Sequence, residues 1–186
     1  MKRKLLSLIL MLALIIALIP PVRVEAIMAD FSYYWSRQPE NVQNYLIREG
    51  VQFHIVDQLP PSSCISTTGY TLAYTNTYTN GDIITGVEVY CLKGFEQYIT
   101  HEIGHILSHY NKHAFLWAST PEFLQIWETE KDGSYICNTT MTEQGLTSPI
   151  EYFAVSYDAY INYRDLMKQK CPRTYKYIDT VVKNTI

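Results

Sequence analysis

The sequence predicts an α+β domain: a small antiparallel or mixed sheet packed on one helix, followed by a mainly helical C-terminal part. Segments with strand-like alternation, rich in tyrosine and threonine, lie ahead of Lys93, whereas apolar residues at helical spacing dominate from Phe95 onward. Asn80-Gly81 separates the two longest strand-like runs, as a hairpin turn does. The chain shows no internal repeat.

Residues 1–26 read as a separate unit. Lys2-Arg3-Lys4, a mostly apolar run from Leu5 to Ile19, the breaker Pro20-Pro21 and the small or apolar residues Val24 and Ala26 are the three parts of a secretory signal peptide. The apolar run is shorter than the roughly 20 residues a bilayer span requires, so a retained anchor is the lesser reading. The exported protein is expected to begin near Ile27, with no membrane attachment after cleavage. Residues 27–186 suffice for one core but not for a separate delivery domain. Without the leader the chain carries 11 basic and 17 acidic residues, a formal charge of −6. That balance speaks against nucleic acid as a partner. A secreted monomer is expected.

Pro39 to Glu49 is expected as a helix with Val42, Tyr45 and Leu46 on one face and Gly50 as its stop. Val51 to Val56 alternates as a strand, with His54 on its polar side and read as exposed. Tyr70 to Tyr78 and Ile83 to Leu92 form the hairpin, whose second arm runs into the next helix. Ser119 or Thr120 with Pro121 starts a helix through Phe123, Leu124 and Trp127, and Lys131 to Thr147 reads as a loop. A helix over about 149–166 carries Phe153, Ala154, Tyr157 and Ile161, and Pro172 opens a last one with Tyr175, Ile178 and Val182.

Four cysteines, Cys64, Cys91, Cys137 and Cys171, have no Cys-x-x-Cys spacing, so in an exported chain two disulfides are expected. The preferred pairing is Cys64 with Cys91 and Cys137 with Cys171. Free buried thiols are the alternative.

The helix at about 94–112 contains His101-Glu102-Ile103-Gly104-His105. Residues four apart share a helix face, so both imidazoles can converge on one cation, and two histidines with an adjacent glutamate form the zinc-metallopeptidase motif. Neutral imidazoles suit Zn²⁺, and a catalytic site takes three protein ligands and leaves a fourth position open. Glu102, about 100° round the helix from His101, is the expected general base. Gly104 marks a place where something approaches the helix closely.

A third histidine in the metzincin pattern would need a glycine at position 108 and a histidine at 111; Ser108 and Asn111 exclude it. His109 and His113 lie too far along and around the helix to join His101, and are read as solvated. Among the downstream acids, Glu151 fits best as a third ligand, since it stands in the first turn of a helix with the core-like flanks Ile150, Phe153 and Ala154. Ser148-x-x-Glu151 is equally a capping box, in which the glutamate only satisfies the helix start. From the residues alone the two readings stand level.

Glu151-Tyr152-Phe153-Ala154, followed by Cys171-Pro172-Arg173-Thr174-Tyr175-Lys176-Tyr177-Ile178, resembles the end of the catalytic domain in the anthrax toxin lethal factor family, to which the small secreted Pro-Pro endopeptidases are similar. The resemblance spans about residues 38–186. It implies a zincin-like metallopeptidase fold, one Zn²⁺ held by His101, His105 and Glu151, and a gluzincin type of endopeptidase. It also implies a tyrosine that supports the oxyanion shortly before the ligand glutamate. The only tyrosine between the zinc helix and Glu151 is Tyr135, for which a core or loop role is the alternative. The acidic residue often found four positions after the ligand is Val155 here.

The expected function is zinc-dependent hydrolysis of peptide bonds in extracellular proteins, proline-directed if the resemblance extends to specificity. A substrate peptide is expected to add as a strand along Val87, Glu88, Val89 and Tyr90. The alternative is a weakly active or silent peptide-binding module on the same fold.

Overall fold

The computed structural model describes residues 31–60, 72–80, 83–108, 117–133 and 146–185. After a helical segment at 31–36 come helix α1 (Glu40–Arg48), strands β1 (Gln52–Val56), β2 (Ala73–Asn80) and β3 (Ile83–Leu92), and helix α2 (Ile99–Ser108). Helices α3 (Pro121–Glu130), α4 (Pro149–Asn162), α5 (Arg164–Lys170) and α6 (Pro172–Asn184) complete it. Among the described residues the architecture is mixed α and β, with three strands and mostly helical content, in keeping with the expected class.

Local chemistry accounts for the boundaries. α1 buries Val42, Tyr45 and Leu46, one face at i, i+3, i+4 spacing, and the chain leaves it through Gly50 at φ 68°, a left-handed conformation glycine adopts without a Cβ penalty. Thr120 caps α3 by accepting the Phe123 N–H at 3.1 Å, and Pro121 fills the first turn, where no N–H is needed. The helix expected over 149–166 is two helices: the chain breaks at Tyr163, whose φ of −137° lies outside the helical region, and resumes as α5.

The sheet order is β1-β3-β2, with β1 parallel and β2 antiparallel to β3. Phe53, Val89 and Thr75 lie in one cross-strand row and Ile55, Cys91 and Ala73 in the next, on the face turned to the helices. On the other face His54, Tyr90 and Tyr74 are neighbours and their rings stack, at 4.6 Å and 5.3 Å between centroids. His54 is therefore half-buried against Tyr90 rather than solvated. Behind α2, Phe123 packs its ring against those of Tyr152, Phe153 and Tyr177, with centroids 5.0 to 5.8 Å apart, joining α3, α4 and α6 into one core.

This topology corrects two expectations. Val87 to Tyr90 do not form an edge. β3 is the central strand: Glu88, Val89 and Tyr90 face Gln52, Phe53 and His54 on one side and Asn76, Thr75 and Tyr74 on the other, and Val87 faces Thr77. A parallel strand inserted from ahead of the hairpin takes the backbone groups a guest peptide would need. The expected disulfides are also not formed at Cys91 and Cys171, which are buried free thiols. Cys91 donates to the Phe95 carbonyl oxygen at 3.2 Å, and Cys171 reaches the Glu130 carbonyl at 3.8 Å. Both behave as small core residues. Cys64 and Cys137 lie outside the described residues.

Burial pushes the Cys91 thiol up to about 12 and the Cys171 thiol up to about 11. At pH 8 both are expected to resist alkylation in the native protein and to react on unfolding. Mass mapping of iodoacetamide adducts with and without denaturant checks this.

Candidate metal centre and active site

α2 runs between the sheet and α4, and of its ten residues only His105 escapes full burial. The close passage of α4 depends on Gly104. A Cβ there would lie 2.7 Å from the Ala154 Cα, 3.0 Å from the Ala154 carbonyl oxygen and 3.0 Å from the Tyr157 Cβ. This is the near approach that the glycine within the helix signalled. A buried chain of hydrogen bonds reinforces it: Tyr157 donates to Gln38 Oε1 at 2.7 Å, and Gln38 Nε2 donates to Thr100 Oγ1 at 3.3 Å, at the start of α2.

The four-residue spacing sets His101 and His105 one turn apart, with Nε2 atoms 3.1 Å from each other and rings nearly perpendicular at 87°. Glu151, one turn before Ala154, places Oε2 3.4 Å from His101 Nε2 and Oε1 3.6 Å from His105 Nε2. Ser148 accepts the Glu151 N–H at 3.2 Å, so the serine half of the capping box forms while the carboxylate turns to the imidazoles. Among the described residues these three side chains form the one group with metal-ligand donors close enough for a shared ion. Donors about 2.0–2.1 Å from a tetrahedral Zn²⁺ sit roughly 3.3 Å from each other. The observed separations of 3.1, 3.4 and 3.6 Å bracket that value, so the donor set fits the ion.

The charges are closely coupled. Burial opposes protonation of His101, but the Glu151 hydrogen bond and the charges of Glu102, Glu151 and Asp158 outweigh it and raise its pKa. Burial would lift the Glu151 carboxyl, yet the His101 bond and both imidazole charges hold it below its ordinary value. Its place at a helix start favours the same anion. Glu102 is only 5% exposed, and burial raises its pKa against the opposing effects of His101 and of a hydrogen bond from Thr75. That bond is short: Thr75 Oγ1 donates to Glu102 Oε2 at 2.6 Å.

The structure thus brings His101, Glu102, His105 and Glu151 together. It does not bring Val87 to Tyr90 to the site as an open edge, while Tyr135, His109 and His113 lie outside the described residues. One participant escaped the sequence reading: Thr75 was hidden in a threonine-rich strand whose register only pairing defines. Asp158 was among the downstream acids weighed as a third ligand, and the structure places it behind His101 instead. Asp158 is buried, accepts from Asn162 Nδ2 at 2.9 Å and bears electrostatically on His101, whereas Val155 packs into the core.

A family model described as anthrax toxin lethal factor, N- and C-terminal domain, matches residues 75–181. The match spans the Thr75 strand, the zinc-motif helix and the Glu151 helix. Among solved structures, the Pro-Pro endopeptidase PPEP-2 from Paenibacillus alvei is similar in fold, with a TM-score of 0.59 at 16% identity over 84% of this chain and 91% of that one. No curated protein matches the sequence.

Gly104→Ala adds a methyl where α4 leaves no room. The helix-propensity gain of about 1 kcal/mol is expected to be lost to overpacking, which costs about 1–3 kcal/mol. A lower urea midpoint is the expected outcome, with divalent-metal affinity reduced further than the midpoint shift explains, because Glu151 is displaced from the histidines. Urea titration and chelator competition on the same variant measure the two effects.

Proposed function

This chain belongs to the anthrax toxin lethal factor family, and we propose that it is a secreted zinc-dependent endopeptidase with a zincin-like, gluzincin-type active site. The observation that carries this reading is the convergence of the His101 and His105 Nε2 atoms with both Glu151 oxygens within 3.6 Å, next to the buried carboxylate of Glu102. In this reading residues 1–26 are a cleaved signal peptide and residues 27–186 are one catalytic domain acting as a monomer. Among the described residues no helix is long and apolar enough to cross a membrane.

His101, His105 and Glu151 hold the ion. Bound Zn²⁺ supplies Lewis acidity to a peptide carbonyl and to water. Glu102 supplies the base: its carboxylate takes a proton from the attacking water and returns it to the leaving amine nitrogen. Its burial beside the histidines and the Thr75 hydrogen bond hold this carboxylate in place for that exchange. Substrates are extracellular proteins, cut next to proline if the specificity of the endopeptidase relative extends to this chain. The peptide lies along β2, which pairs on one side with β3 and brings Thr75 to the base.

A silent peptide-binding module is the rival reading, favoured by the absence of a tyrosine from the seven residues ahead of Glu151, where the family places one to support the oxyanion. Two measurements on the purified secreted protein separate them: zinc content by mass spectrometry, and cleavage of a proline-containing peptide library. One zinc per chain and cleavage at defined bonds are expected. Glu102→Gln should keep the zinc and lose about 10²–10⁴-fold in kcat/KM. Zinc with no cleavage in the wild type would favour the binding module, and absence of zinc would overturn both the metal site and the peptidase.

A further inference from the structure

We propose that Thr75 is a positioning residue for Glu102: from the strand nearest the base it fixes one carboxylate oxygen, leaving the other to exchange the proton. This rests on the endopeptidase reading above.

Glu102 stands on a helix that is buried almost all round, and a carboxylate taken out of water needs donors. Thr75 provides one at 2.6 Å, the length of a strong charge-assisted O–H···O⁻ bond. The terminal torsion of a glutamate is broad, so without such a partner its two oxygens exchange places freely. Thr75 is suited to remove that freedom. It is β-branched, with few χ1 choices, and its backbone is paired with Val89, a residue 1% exposed in the core. The donor is thus rigid at both ends.

The bond also ties the base to the substrate strand. Among the described residues β2 pairs with β3 on one side, so a peptide added along its other side lies beside the residue that orients Glu102. Neighbours on β2 do not substitute for Thr75. Tyr74 and Asn76 point to the opposite face, as alternation requires, and Tyr74 donates to the Pro60 carbonyl there.

The test uses the zinc-loaded full chain with Thr75→Val, which keeps the shape and removes the hydroxyl, and Thr75→Ser, which restores it. Thr75→Val is expected to keep stoichiometric zinc and a KM within about two-fold of the wild type, while kcat falls about 10- to 100-fold, the scale of a misplaced catalytic group. Thr75→Ser should recover most of that loss, which a purely structural role of the threonine would not produce. A second readout needs no activity: urea midpoints of the metal-free wild type, Thr75→Val, Glu102→Met and the double variant. The double variant should lose less than the two single losses combined, because either substitution breaks the same bond. Strictly additive midpoints would overturn the contact. A wild type that cleaves while Thr75→Val retains full kcat would overturn the positioning role alone, whereas a wild type that binds zinc and cuts nothing would overturn the endopeptidase reading and the catalytic role built on it.

Discussion

Gly104 and Ala154 bring two helices together more closely than any side chain at position 104 would permit, and the geometry of the site follows from that contact. Helices packed through ordinary side chains keep their axes about 8–10 Å apart. A glycine facing an alanine removes the intervening atoms. Glu151, one turn before Ala154, then reaches over His101 and His105, which flank the same glycine on α2. The Tyr157–Gln38–Thr100 hydrogen bonds hold the approach from the other end. The position of Glu151 over the histidines is therefore a packing result, and it depends on a residue that carries no functional group.

The same contact concentrates charge where there is little water. His101 and Glu102 are 4% and 5% exposed, and isolated charges at such depth are costly. Each has a compensating partner: Glu151 for His101, Thr75 for Glu102, and the Asp158 charge behind the histidine. A divalent cation, if bound there, would add the positive charge that two carboxylates and two neutral imidazoles lack. Without it the neighbouring carboxylates favour a proton on His101, the direction in which its pKa is shifted. Proton and metal compete for one set of lone pairs.

Around this centre the described scaffold is aromatic and tightly interlocked, with Cys91 and Cys171 as free thiols. Phe123, Tyr152, Phe153 and Tyr177 join three helices, and Glu130 at the end of α3 caps α6 by accepting the N–H groups of Arg173 and Thr174. Cys171, at the start of α6, serves as filler in this junction, and Cys91 does the same beneath the sheet. Thiols that fit a packed interior contribute there as small buried hydrophobes.

The sequence by itself determined whatever depends on short-range periodicity and local chemistry. The four-residue step of His101 and His105 put two imidazoles on one face, Thr120 and Ser148 marked helix starts, Gly50 marked a stop, and Gly104 marked a close approach. The class of the fold, the α1 face and the hairpin arms were legible for the same reason. Tertiary structure decided what depends on long-range pairing. Insertion of β1 beside β3 turned an expected edge into the centre of the sheet and left β2 as the outer strand among the described residues. Strand register chose Thr75 from a run of threonines. The crossing of α2 and α4 turned Glu151 toward the histidines while Ser148 kept its capping bond. Strand order and helix crossing minimise the free energy of the whole core, and no window of a few residues contains that sum.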